Sequence, residues 1–449
     1  MNHFESLKLE KPNLSRIDIG KAMKKSMALQ QKEGKSIAYQ MSEPNYLYWD
    51  KIKHLEPPKG FSALEVWFVT KQVRRMSSRP TFIKAENEKP FNFLKLVCTD
   101  ELLHRIDLET GGSIFAPYQL LSDQKKQKFL TRGIIEEAIA SSQLEGANTT
   151  RKAAKDMIIQ KREPRNRSER MIINNYKAMQ VIEQDYKKKQ MSIDLMFELH
   201  RILTDQDSEI PSGDRGRFRT DKDQIVVHSQ SKRKIVHTPP KEAFLKKEIS
   251  RFVQYANDEG GERFVHPIIK AIFLHFWIGY LHPFTDGNGR FARAIFYWYL
   301  LKHRYWTMIY LPISTVIKKS PEQYSMAYVY AEQDDLDITY FYDYHLKKII
   351  QALDEFHSYV NRKVAENKEI DSLISKESNL NDRQKQSIHY LMSEGEGSFT
   401  TVSSYMSVYG ISRLTASKDL HKLGELGYLQ SRRSGKYIRY YLTHKLSNS

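Results

Sequence analysis

Cysteine is almost missing from this 449-residue chain: Cys98 stands alone, so no internal disulfide can form. That excludes the small disulfide-stapled scaffolds of secreted proteins and makes a cytoplasmic protein the expectation. The opening MNHFESLKLEK agrees, because it is charged and no apolar stretch follows it. Long hydrophobic runs are missing too. The longest strongly apolar one, Ala294 to Leu301, is far shorter than the roughly 18 residues a membrane span needs, so no membrane segment is predicted. Internal repeats and low-complexity tracts are not evident. Acidic residues are outnumbered, 54 Asp and Glu against 71 Lys and Arg, for a formal net charge of +17. This excess favours polyanionic partners, nucleic acid or nucleotide phosphates, without choosing between them, and a basic solvated surface reads the same.

What is present is globular. Hydrophobic residues make up 40% and charged residues 28%, which excludes wholesale disorder, and 449 residues call for two or three domains. The fold class is mainly α. Phe264, Ile268, Ile272, Phe276 and Tyr280 recur every fourth residue, which predicts a helix from Phe264 to Leu281 with a wide buried face. Phe291 to Leu301 is apolar almost all round and reads as a central buried helix. The interruption is Gln224 to Pro240, where QIVVH and KIVHTPP flank the polar stretch Ser229 to Lys234 and predict a β-hairpin ended by Pro239 and Pro240. Helical pattern resumes from Lys241 to Tyr255.

Near the C-terminus, 354–380 is polar and reads as a linker or a partly exposed helix, followed by an independent unit over 381–449. There Asp382 to Met392, Thr400 to Tyr409 and Ser412 to Leu426 are helix candidates, and GYLQSRRSGKYIRYYLT gives two strands around a Ser434-Gly435 turn. That order is the order of a winged helix-turn-helix. From Lys376 to Ser449 there are 11 Lys or Arg against 6 Asp or Glu, a net of +5, with Arg432, Arg433, Lys436 and Arg439 on the wing. Duplex DNA is therefore an expected partner of this unit, and a protein-contact module is the alternative.

The polar stretch between the two buried helices is His282-Pro-Phe-Thr-Asp286-Gly287-Asn288-Gly289-Arg290-Phe-Ala-Arg293. Its residue types point to phosphate. Gly287 and Gly289 allow a tight turn with backbone N–H groups close to a ligand, and the helix that begins near Asn288 offers unpaired donors and the positive end of its dipole. Arg290 and Arg293, three apart, reach one polyphosphate from one face. Asp286 is a hard oxygen ligand for Mg²⁺, and His282 is a general base at neutral pH.

The motif resembles the signature of the Fic family, matching eight specified positions within twelve residues. The resemblance extends from about Leu121 to Leu353. It implies a Fic helical core over 121–353, an N-terminal helical extension over 1–120 that includes the helix-like ALEVWFVTKQVRR, and a flap hairpin over 224–240 that pins a target segment by strand addition. Gly216-Arg-Phe-Arg219 precedes the flap as in the family. The resemblance also implies ATP as substrate, His282 as base and Asp286 on the metal. Asp286, Gly287, Asn288, Gly289, Arg290 and Arg293 would contact nucleotide, Arg290 at the α/β-phosphates and Arg293 at the γ-phosphate. Ile225, Val226, Val227 and His228 of the flap would flank ATP, although the last is often Gly in relatives. Tyr324 would border the adenine; Ser325 follows it where relatives commonly have a second Tyr, and Glu332 stands where they often have Asn. His266 and His275 are expected to serve capping or packing. Ser141, Glu145 and Gly146, at the end of a helix-like run over about 131–146, resemble the family's inhibitory motif, in which the Glu pairs with the second arginine and blocks seating of the γ-phosphate.

The implied function is a self-inhibited transfer of AMP from ATP to a hydroxyl of an unknown target protein. Two readings of other kinds stay open: hydrolytic removal of AMP from a modified protein with Glu145 orienting the water, and a ligand sensor with a DNA-binding tail. A homo-oligomer is compatible with the sequence and not indicated by it.

Overall fold

Pro267 fixes where the central helix begins. His266 accepts from the Ile268 N–H as its N-cap, Pro267 takes the first position where no N–H is missed, and the helix runs Pro267–Leu281 with nearly every side chain buried. The expected start at Phe264 is corrected: Phe264 lies before the cap and is 84% exposed, its fourfold apolar spacing carrying no helix across the proline. This computed structural model describes residues 5–34, 36–111, 123–229, 234–259, 264–375, 379–394, 397–434 and 437–443. A second helix, Asn288–Lys302, packs against the first, and Trp277, Trp298, Tyr297, Phe276 and Phe284 between and around them are sealed from water. Truncating one of the tryptophans to Ala would cost on the order of 3–5 kcal/mol. Such a pair is a stiff base for the loop that joins it.

Two more helices pack on this pair, Asp123–Leu144 and Arg167–Gln184, with Ile135, Ile139, Met171 and Ile172 between them. Asp123–Leu144 begins well before the expected 131 and stops before Glu145, which lies in the turn that Gly146 closes with a φ of 93°. One face of this helix is set every fourth residue. A Cβ on Gly133 would meet the Ile309 carbonyl at 2.4 Å, Glu137 accepts from Tyr297 and from the backbone and hydroxyl of Ser314, and Ser141 and Glu145 reach Arg293.

The chain divides into two compact units, Met1–Asp354 and Glu355–Ser449. The N-terminal extension is packed into the first. Its helix Ala63–Ser77 starts with a capping box between Ser62 and Glu65, and it buries Arg74 against the Tyr46 ring at 3.7 Å. The antiparallel pair Arg79–Lys84 and Pro90–Phe93 follows, which the sequence pattern does not announce. The flap is a hairpin of two short strands, Val227–His228 and Ile235–His237, and the segment around Ser6 lies parallel to the second, with Leu7 N–H donating to Ile235 O at 2.7 Å. Between the strands, 230–233 lie outside the described residues.

In the second unit the expected linker is helical through Ser375, and Ile374 and Leu380 join the unit's core. Helices Asp382–Glu394, Val402–Tyr409 and Arg413–Glu425 follow, the last two capped by Thr401 and Ser412. Thr400 belongs to a strand, Phe399–Thr400, rather than to the helix expected from it; it pairs with Tyr437–Leu442, which also pairs with Leu429–Ser434. Gly435 of the expected turn and Lys436 of the wing lie outside the described residues. Among the described residues no helix is long and apolar enough to cross a membrane.

Candidate functional site

His282 closes the central helix in the left-handed conformation, φ 47°, a strained position for a residue with a Cβ. Arg219 holds it there. Its buried guanidinium donates to the carbonyls of Leu281, His282 and Pro240, and its N–H donates to the Pro283 carbonyl. The His282 ring faces a cavity of about 420 Å³ that Glu145, Val227, His237, Gly289, Tyr324 and Tyr328 help to line. Enclosure first, and then the neighbouring His237, pull its pKa down to about 3, so the ring is neutral at physiological pH. The Gly279 carbonyl pulls the other way without overcoming that burial, and a neutral imidazole keeps one nitrogen as a proton acceptor.

The loop after His282 is closed by its own residues. Asn288 accepts from the Phe284 N–H at 2.9 Å and donates to the Phe284 carbonyl at 2.8 Å, so its amide ties the loop to its own backbone. His200 braces the same loop. Gly216 N–H donates to its Nδ1, which leaves the proton on Nε2 to donate to the Asp286 carbonyl at 3.0 Å, and its ring stacks on Phe284. Burial lowers the His200 pKa to about 4, in keeping with a neutral ring. Gly287, φ 80°, then turns the chain into the helix.

The two motif arginines differ. Arg290, fully buried, donates Nη1 to the Leu203 carbonyl, and its Nε and Nη2 have no partner among the described residues. Arg293 donates Nε to Ser141 Oγ and Nη2 to the Ser141 carbonyl and to Glu145 Oε1 at 2.7 Å. Glu145 also sits on the start of the helix: a Cβ on Gly289 would come 2.0 Å from its Oε1. A carboxylate thus lies against the first turn, where an anion is attracted. Asp286, partly exposed, pairs through Oδ2 with Arg167 at 3.0 Å, and Arg167 is itself held by the buried Asp207. No cluster of three or more metal-ligating side chains occurs among the described residues.

Of the flap residues expected beside ATP, Val227 and His228 line the cavity; Ile225 and Val226 do not, and Val226 points outward at 36% exposure. Val227 and His228 are the whole of that strand, and Ile225 and Val226 precede it. Tyr324 lines the cavity and bonds through its hydroxyl to His275, which is buried beneath it. His266 caps its helix as expected. Sequence reasoning passed over three contributors: Arg167, His200 and His237. Each acts across a long stretch of chain, with no local pattern to mark it.

Residues 190–300 match the Fic/DOC family. The chain is 32% identical over 109 residues to the protein adenylyltransferase Fic of Nematostella vectensis, covering 24% of this chain and 22% of that protein. It is 29% identical over 126 residues to the protein adenylyltransferase fic-1 of Caenorhabditis elegans, covering 28% of this chain and 22% of that one. The chain thus spans about a fifth of the length of these curated relatives. Among solved structures, a Fic family protein from Desulfovibrio desulfuricans G20 aligns with a TM-score of 0.48 at 22% identity, over 77% of this chain and 95% of that one.

Proposed function

Because residues 190–300 carry a domain of the Fic/DOC family, we propose that this chain is a protein adenylyltransferase, moving AMP from ATP to a hydroxyl of a target protein and restraining itself through Glu145. His282 takes the hydroxyl proton on its free ring nitrogen. The oxygen attacks the α-phosphorus, the bond to the β-phosphate oxygen breaks, and pyrophosphate leaves. Arg290 brings two unpaired donors to the phosphates nearest the reacting centre. A lone carboxylate, Asp286, suits Mg²⁺, which keeps most of its waters and is shared with substrate phosphates, where it would neutralise charge on the leaving group. Among the flap residues, Val227 and His228 border the nucleotide.

One observation supports the self-restraint: Glu145 lies 2.7 Å from Arg293 and against Gly289, where it would contend with a γ-phosphate held by that arginine. Its charge opposes that phosphate, and its bond occupies the guanidinium that would hold it. Glu145→Gly is expected to raise label transfer from ATP by about two orders of magnitude, the size of a 2–3 kcal/mol penalty. Adding Arg293→Ala should remove most of the gain. Equal transfer by wild type and Glu145→Gly would discard the restraint, and a wild type that strips AMP from a modified protein would put the hydrolytic reaction first.

We infer as well that residues 355–449 bind duplex DNA. Ser417, Lys418, His421 and Lys422 form an exposed face of the helix Arg413–Glu425, and Arg432 and Arg433 lie on the neighbouring strand. Binding by the full chain should weaken steeply with salt, and Lys418→Ala with Lys422→Ala should flatten that slope by about 2. Gel shifts without salt-sensitive retention of any duplex would favour a protein-contact module.

A further inference from the structure

His237 is a buried histidine both of whose ring nitrogens face oxygen. Nδ1 lies 2.8 Å from Glu332 Oε2, and Nε2 lies 2.8 Å from the Tyr280 carbonyl oxygen. A carbonyl only accepts, and a neutral imidazole has a single N–H, so the two bonds together require either a second proton on the ring or one on the carboxyl. Burial works against a charged ring, but the Glu332 carboxylate and the two hydrogen bonds outweigh it and push the His237 pKa upward. The second ring proton is the better account.

The ring also joins three walls of the cavity. His237 ends the second flap strand, Tyr280 belongs to the last turn of the central helix, and Glu332 lies on the helix Pro321–Gln333, whose Tyr324 and Tyr328 line the same space. Around His237 the titratable and charged groups are Glu332, the Tyr280 phenol with its ring at 5.5 Å, Glu86 beyond that phenol, Arg219 and His282. The His237 and His282 ring centres are 6.4 Å apart. Two positive rings at that distance repel, so a charged His237 adds to burial in keeping its neighbour neutral.

We propose that His237, doubly protonated between Glu332 and the Tyr280 carbonyl, is a positioning residue that clamps the flap against His282 and keeps that ring in its proton-accepting form. The inference rests on His282 being the base of AMP transfer. Its first test does not. Nitrogen-15 spectra of histidine-labelled protein, with His237→Gln to assign the signal, should show both ring nitrogens of His237 protonated at pH 7; a neutral tautomer there overturns the proposal even if transfer is real. The second test uses Glu332→Gln in the released Glu145→Gly background, where the near-isosteric amide keeps the shape and removes the charge. The acid limb of the pH–rate profile should move to higher pH as His282 becomes easier to protonate. KM for the target protein should rise about tenfold while KM for ATP stays within about twofold. An unmoved limb and an unchanged KM for the target would overturn it. A Glu145→Gly protein with no transfer at all would sink the functional reading and leave the spectroscopic result to stand alone.

Discussion

Two parts of the site treat buried positive charge in opposite ways. At its edges the chain supplies its own carboxylates, Glu145 for Arg293 and Glu332 for His237. In the loop and first helical turn, Arg290 uses one of its three nitrogens, on the Leu203 carbonyl, and the other two have no partner among the described residues. Burial, only partly offset by Asp286, Glu145 and Asp207, lowers the Arg290 pKa, whereas Arg293, which leaves only Nη1 without a partner among the described residues, has the carboxylate of Glu145 in direct contact and its pKa is raised. An unmatched buried cation is costly and persists where a ligand supplies the missing charge. On the function proposed above, the first turn would receive a visiting anion and the Arg293 side would be closed by an internal one.

The sharpest way to break this contrast is to change the neutral base. His282→Ala in the Glu145→Gly background is expected to cut AMP transfer by about 10²–10⁴-fold while ATP affinity by calorimetry stays within about twofold, because the proposed role of the ring is toward the reacting hydroxyl and not toward a phosphate. Transfer at the parent rate would move the base elsewhere. Stability against pH sharpens the contrast further. His200 and His345 are buried with pKa values near 4 and 3, so between pH 6.5 and those values the unfolded chain binds protons that the folded chain does not. Their contribution is complete above about pH 6.5 and is lost as pH falls, by about 1.4 kcal/mol per pH unit for each ring. His237 has the opposite sign: its pKa is raised, so its contribution is complete below about pH 6.5 and fades as pH rises through the folded value. Urea midpoints of His200→Gln and His237→Gln across pH 4–8 should therefore diverge from wild type at opposite ends. The smallest effect is expected at Arg167, partly exposed and paired with Asp286. Arg167→Ala should tighten Mn²⁺ binding, followed by electron spin resonance, by about threefold, as suits a solvent-screened ion pair; looser binding would make Arg167 an orienting group rather than a competitor.

Much of the site was legible because it is contiguous. His282 to Arg293 is one loop and one helical turn, and the helices on either side announce themselves by apolar spacing. Glu145 was legible through a short pattern with fixed spacing. What stayed hidden is nonlocal: Arg167 reaches Asp286 across 119 residues, and His237 meets Glu332 across 95, a pairing that nothing near either partner announces. The misplaced start at Phe264 has a local cause, since apolar periodicity is blind to the proline and cap that set the boundary. The extension's strand pair escaped because its register is irregular and its side chains do not alternate cleanly between buried and exposed.

The fourfold face of Asp123–Leu144 makes the position of Glu145 a matter of length as well as composition. Gly133 against the Ile309 backbone and Glu137 against Tyr297 and Ser314 fix the helix in both rotation and translation. Deleting a single residue between Glu137 and Glu145 would swing the carboxylate by about 100° and draw it back by about 1.5 Å, off Arg293, with every side chain that makes the latch still encoded. Descendants of this chain could thus lose or regain the Glu145–Arg293 contact, and with it the proposed restraint, by a change in reading length alone, a route open to insertions and deletions in multiples of three nucleotides and invisible to any census of which residues are present.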